Sequence, residues 1–304
     1  MVEIAIMIEG QDGLNWPRWQ RIARAVEDLG FAGLYRSDHF TNSSAPDIDS
    51  LEMWVSLTWL ASNTKRIEFG PLVSPVSFRD PVFTARTALQ VDDLSGGRLR
   101  LGLGAGWNER EHHNFGYDLL DTEARFARFR EGLEVITRLM DSDQPVDFAG
   151  QYYRLNGAVL LPRPQRPGGP PVVIGGNGQK RTLPMVVQYA DEWNAVYLTP
   201  ERLRELNQHL DALLHEAGRK PEEVRRTIMV GTVFGKDERQ FRERLGTRNA
   251  DDLRKRGLVV GDPGAVADQL GRLGEAGAAR VMLQWLDQDD LDGLEALAKL
   301  NQTI

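Results

Sequence analysis

Ser37-Asp38-His39-Phe40 ends a strand-like run of the chain, and it carries the side chain best suited to proton chemistry. An imidazole titrates near neutral pH and can donate, accept or carry a proton. At the end of a strand, His39 would face whatever cavity the strands enclose. The rival reading is a histidine that ties down a loop, and position alone leaves the two level.

Two glycine-rich segments could hold a ligand. The first is Gly102-Leu103-Gly104-Ala105-Gly106-Trp107-Asn108-Glu109. Its small residues would let a flat ligand or another backbone approach closely. Trp107 could wall a pocket and Asn108 could hydrogen-bond a polar edge; the alternative is tight strand–helix packing with Trp107 in the core. The second is Gly175-Gly176-Asn177-Gly178-Gln179-Lys180-Arg181-Thr182. Glycines before a helix expose backbone N–H groups, the helix dipole favours an anion there, and Lys180 and Arg181 add positive charge. A phosphate cradle is one reading and a plain glycine turn the other.

Other arrangements are excluded. The P-loop spacing G-x-x-x-x-G-K-[ST], the zinc motif H-E-x-x-H and the nucleophile motif G-x-S-x-G are absent. Adjacent His112 and His113 do not share a helix face, so Glu111-His112-His113 is expected to be structural or supporting. His209 and His215 fall on an outer helix. With no cysteine in the chain, disulfides, thiolate nucleophiles and Cys-ligated metal sites are ruled out.

The elements that must position these loops alternate from end to end. Strand-like runs fall at 3–8, 32–37, 67–73, 98–104, 171–174, 191–197, 227–234 and 279–286. Between them apolar residues recur at helical spacing, as in Trp19, Ile22, Ala23 and Val26, in Phe126, Phe129, Leu133, Ile136 and Met140, and in Leu203, Leu206, Leu210 and Leu213. Gly30 stands where a helix C-cap belongs. Eight strands each followed by a helix predict a (β/α)8 TIM barrel with loop insertions, a single domain over 1–304. An open doubly wound sheet is the alternative, disfavoured because no G-x-G-x-x-G follows the first strand. Segments 141–170, rich in Pro, Gly and aromatics, and 236–262, highly charged, break the rhythm and are expected to be irregular or helical insertions.

The bulk numbers agree. The 304 residues are 41% hydrophobic with a net charge of −7, which suits a sizeable core and disfavours a nucleic-acid partner. No apolar run spans a membrane and the N-terminus lacks a leader pattern, so a cytoplasmic protein is expected.

The same segments, in order, resemble the luciferase-like monooxygenase superfamily and within it the deazaflavin branch that uses coenzyme F420. The blocks are Ser37 to Phe40, Gly70-Pro71-Leu72-Val73-Ser74-Pro75 with Phe78-Arg79-Asp80-Pro81, Asp93 to Arg98, Gly102 to His112, Gly150 to Leu155, Ile174 to Leu183 and Tyr189 to Asn194. The resemblance implies a TIM barrel, often a homodimer, with a cofactor ring beside the second to fourth strands and its phosphate at the loop after the fifth. It makes His39 the catalytic residue. It assigns cofactor contacts to Asp38, Leu72, Val73, Gly104, Ala105, Gly106, Trp107, Asn108, Gly175, Gly176, Asn177, Gly178, Gln179, Lys180 and Arg181, and no metal. It also implies a non-proline cis peptide at Leu72–Val73, with a cis bond at Gly70–Pro71 or an all-trans strand as the alternatives. The sugar-phosphate dehydrogenases of this branch carry a glutamate where this chain has Trp107, so their substrate is not transferred. The activity implied is hydride transfer between F420 and a small organic substrate. An FMN monooxygenase on the same barrel and a non-catalytic cofactor-binding protein are the alternatives.

Overall fold

The computed structural model describes residues 2–302. Its strands in chain order are β1 (Glu3–Ile8), β2 (Gly33–Arg36), β3 (Glu68–Pro71), β4 (Ser74–Pro75), β5 (Leu101–Gly104), β6 (Val146–Ala149), β7 (Arg154–Ala158), β8 (Val172–Gly175), β9 (Glu192–Val196), β10 (Arg225–Phe234), β11 (Val259–Gly261) and β12 (Arg280–Gln284). The helices are α1 (Trp16–Asp28), α2 (Met53–Asn63), α3 (Pro81–Ser95), α4 (Glu109–Phe115), α5 (Thr122–Asp141), α6 (Thr182–Tyr189), α7 (Pro200–Glu216), α8 (Glu238–Leu245), α9 (Ala250–Lys255), α10 (Pro263–Glu275) and α11 (Leu291–Ala298).

The parallel sheet runs β3-β2-β1-β12-β10-β9-β8-β5-β4. Its two ends belong together. β3 and β4 are halves of one stave, interrupted at Leu72–Val73, whose peptide bond is cis. Phe69 N donates to Arg98 O at 3.2 Å and Arg100 N donates to Phe69 O at 2.8 Å, which brings β3 against the stave that holds β5. The result is an eight-stave barrel ringed by helices. β11 adds to the outer end of β10, pairing with Thr232 to Phe234.

Local sequence explains the helices. Asn15 caps α1, and its apolar stripe Trp19, Ile22, Ala23 and Val26 is buried against the barrel. Asp80 caps α3, Pro81 occupies its first turn, and Gly96 ends it in the left-handed conformation at φ 72°. Inside the barrel a separate cluster of Ala5, Met7, Tyr35, Leu72, Val173, Met229 and Met282 fills the bore.

Segment 141–170 is more ordered than its composition foresees, whereas 236–262 is the helical excursion expected of it, with one strand added. Segment 141–170 contains the antiparallel hairpin β6–β7, and 236–262 contains α8, α9 and β11. Alternating apolar positions in so short a hairpin are too few to stand out from a Pro/Gly-rich background.

Candidate active site

His39 follows β2 at the C-terminal mouth of the barrel. Its Nδ1 lies 2.8 Å from Oε1 of Glu111, a carboxylate with no solvent exposure, and the backbone N–H of Phe40 donates to the other oxygen at 3.1 Å. The carboxylate accepts, so Nδ1 holds the proton and Nε2 is the atom left to face a ligand. Burial pushes the His39 pKa down, but the hydrogen bond and charge of Glu111 outweigh it, with Glu9 and Asp38 adding to the same side. The net direction is upward. Trp107 stands edge-on to the imidazole at 5.5 Å between centroids and is 62% exposed, so it is a wall and not a core residue.

His39 and Trp107 border a cavity of about 540 Å³, within the range of small-molecule sites. Met7, Leu72, Val73, Val196 and Met229 give it an apolar lining, and Gly106, Gly175 and Gly176 also reach it.

The glycines of β5 and β8 are there chiefly for Val73. A Cβ on Gly104 would sit 2.7 Å from the Val73 side chain, one on Gly175 3.2 Å from it, and one on Gly102 2.0 Å from the Pro71 carbonyl oxygen. Gly102 and Gly104 thus admit a neighbouring backbone and its side chain, strand against strand and not strand against helix, and Gly175 of the second segment serves the same packing. Gly106 differs: its φ of 86° demands glycine and it lies on the cavity wall.

Several expected residues are engaged elsewhere. Asp38 accepts from Ser74 Oγ at 2.7 Å and from both terminal nitrogens of Arg79, which locks the β2 loop to β4. Asn108 is buried and donates to Thr41 O, while its carbonyl accepts from His112 Nδ1 at 2.7 Å. Neither lines the cavity, nor do Gly104 and Ala105. His112 also meets Ser77 Oγ at 2.7 Å, so it is a structural brace.

After β8, Asn177 clips the loop to β9 by two bonds, Nδ2 to Val196 O at 2.8 Å and Val196 N to Oδ1 at 3.0 Å. Gly176 adopts φ 117° and its N–H is spent on Asn194 O. Gly178 O accepts from Thr182 N and Leu183 N, so the first N–H groups of α6 are used as well. Among the described residues, the N–H groups of Asn177 to Lys180 have no acceptor within the chain, and Gln179, Lys180 and Arg181 are exposed. The loop keeps donors for an anion, over a narrower stretch than the glycines alone imply. Arg181 lies over the ring of Phe126 at 5.8 Å.

The opposite wall carries residues the sequence reading did not nominate: Glu9, Asn194, Tyr197 and Gln284, with Glu111 behind His39. The signal for most of them was available. Glu9, Tyr197 and Gln284 stand at the ends of barrel strands, where this fold builds its sites, whereas Asn194 lies within β9. No metal-binding group of His, Asp and Glu occurs among the described residues.

A barrel with this mouth is matched by the luciferase-like monooxygenase model, over residues 5–250. The chain belongs to the luciferase-like monooxygenase family. It is 34% identical over 166 residues to a 4-hydroxyprotoasukamycin monooxygenase of Streptomyces nodosus subsp. asukaensis, covering 54% of this chain and 43% of that protein. It is 31% identical over 225 residues to an F420-dependent glucose-6-phosphate dehydrogenase of Kineococcus radiotolerans, covering 72% of this chain and 64% of the relative. The chain thus spans less than two thirds of either relative. In three dimensions it superposes on an F420-dependent secondary alcohol dehydrogenase in complex with an F420-acetone adduct, with a TM-score of 0.85, 18% identity and 98% of both chains covered. That identity supports the shared fold alone.

Proposed function

We propose that this protein is an oxidoreductase that transfers hydride between coenzyme F420 and a small organic substrate. The observation that carries the reading is the His39–Glu111 pair, whose Nε2 is left free beside an apolar cavity walled by Leu72, Val73 and Trp107.

The residues fit such a cofactor. The cavity has apolar walls for a flat ring, and the unpaired N–H groups of Asn177 to Lys180 suit a phosphate. Bound there, the deazaflavin supplies a ring carbon that gives or takes hydride. The chain's part is proton management and placement. When an alcohol is oxidised, His39 Nε2 takes the hydroxyl proton as the carbon-bound hydrogen departs with its electron pair; in the reverse direction the imidazolium returns that proton to the carbonyl oxygen. Glu111 fixes the ring and favours its protonated form. Leu72, Val73 and Trp107 exclude water from the ring face.

The monooxygenase relative supports a second reading, an FMN-dependent monooxygenase on the same site. Fluorescence titration of the purified protein with each cofactor separates the two. F420 is expected to bind at least about tenfold tighter than FMN, a gap of about 1.4 kcal/mol. Equal or reversed affinities favour the monooxygenase. We further propose that the protein works in the cytoplasm as a homodimer; no helix among the described residues is long and apolar enough to cross a membrane, and α2 and α3, which pack side by side, leave Val55 and Phe83 exposed.

A further inference from the structure

A second chamber of about 300 Å³ adjoins the cavity beside His39, and the two share Tyr197 and Gln284 as a common wall. Gly231, Val233, Leu258 and Leu286 give it an apolar face, and Thr232, Arg248 and Arg256 complete its wall. It is roughly twice the size of an engineered cavity that holds benzene, about 150 Å³.

The wall is built. Tyr197 adopts φ 51°, in the left-handed region a bulky residue seldom occupies. Its ring rests on Gly231, where a Cβ would come within 2.9 Å of it, and its backbone lies against Gly257, where a Cβ would come within 2.4 Å. Its hydroxyl is fixed too. Glu9 accepts from Gln284 Nε2 at 2.5 Å, which turns Gln284 Oε1 toward the phenol; the phenol donates to it at 2.6 Å. Gln11 Nε2 holds the other Glu9 oxygen at 2.9 Å.

We propose that Tyr197 is the substrate-sizing residue of this site: its ring, seated against Gly231 with its backbone against Gly257, closes the cavity beside His39 against the second chamber and limits how long an apolar substituent the substrate carries. This rests on that cavity being the substrate site. Tyr197 is a specificity residue, not a proton carrier, because a neutral glutamine amide separates it from Glu9.

Methyl ketones of increasing chain length, added to the protein saturated with oxidised F420, are the probe, since two hydride acceptors report binding without turnover. Their affinity is read from the fluorescence of the protein's tryptophans, Trp107 standing on the cavity wall. Each methylene buried tightens binding about fourfold. In the unaltered protein the gain stops once the cavity beside His39 is full. In Tyr197→Gly, where φ 51° costs glycine nothing, it continues over several further methylenes. Tyr197→Phe keeps the ring and so keeps the cut-off. Tyr197→Ser opens the same wall should glycine loosen the loop. The proposal is overturned if the unaltered protein gains affinity through the longest ketones, if the opened variants share its cut-off, if Tyr197→Phe extends the series, or if no ketone binds. Failure of the cofactor reading is separate: it is a failure to bind F420, measured on the same preparation without ketone.

Discussion

Residue scale belongs to His39 and the carboxylate behind it. A buried carboxylate on Nδ1 orients the imidazole, fixes its tautomer and raises its proton affinity together. His39→Ala removes the proton carrier, and kcat is expected to fall about 10²–10⁴-fold with cofactor affinity nearly intact. Loss of cofactor binding with the rate preserved at saturating cofactor would reassign His39 to binding. Glu111→Gln tests the positioning role through a pH profile. Oxidation needs neutral His39, so the rate rises as pH passes above its pKa. Glu111 holds that pKa up, and the variant's rising limb is expected to move to lower pH. A limb that stays in place would leave Glu111 as mere packing. Glu111 was visible in sequence as part of a Glu-His-His cluster, but its partner lies 72 positions away in the chain, a distance no local spacing reveals.

Elements decide what a glycine is for. Gly102, Gly104 and Gly175 come from two strands that converge on Val73, and only the closed barrel brings them together. The loop after β8 is different. Gly176 meets nothing nearer than Thr182 at 3.7 Å, so space does not require glycine there; its φ of 117° does. Gly176→Val therefore acts by redirecting the loop's N–H groups, not by collision. FMN and riboflavin differ by the phosphate alone, so they read its contribution. The variant is expected to weaken FMN about tenfold or more, one hydrogen-bonded charge's worth, and to leave riboflavin nearly unchanged. Equal loss on both ligands would make the loop an ordinary turn whose distortion reaches the ring site.

At the scale of the whole molecule, the end of the barrel opposite the site is closed by charge. Arg280, 2% exposed, bridges Glu3 and Glu68 at 2.6 Å each, and Arg100 bonds Glu68 at 2.5 Å. Burial raises the Glu68 pKa, but Arg100 and Arg280 outweigh it and hold it at about 2, against an ordinary value of 4.5. A carboxylate depressed on folding stabilises the fold above its unfolded pKa, and that stability is lost as pH falls through the window from 4.5 toward 2. The share at stake is on the order of 3 kcal/mol. Urea midpoints measured down this range should fall steeply for the native protein and less steeply for Glu68→Gln, which is also less stable at neutral pH. Parallel curves would place acid sensitivity elsewhere.

The sequence by itself determined the barrel, because eight alternations of strand and helix period bury their apolar faces in few other ways. It also determined that His39 and Trp107 stand at the mouth, since each directly follows a strand, and the family blocks located the Leu72–Val73 bond that is cis here. Tertiary structure alone decided which side chains at those positions reach the cavity. Asp38 and Asn108 turn into the protein because Arg79 and Thr41, distant in the chain, satisfy them. Glu9 and Gln284 meet because closure of the barrel sets the first stave beside the last, and a hydrogen bond across that seam joins them; Tyr197, after β9, is held from farther round the mouth by its bond to Gln284. Strand period fixes which face a residue takes, whereas its partner across the mouth is fixed only by how the staves close.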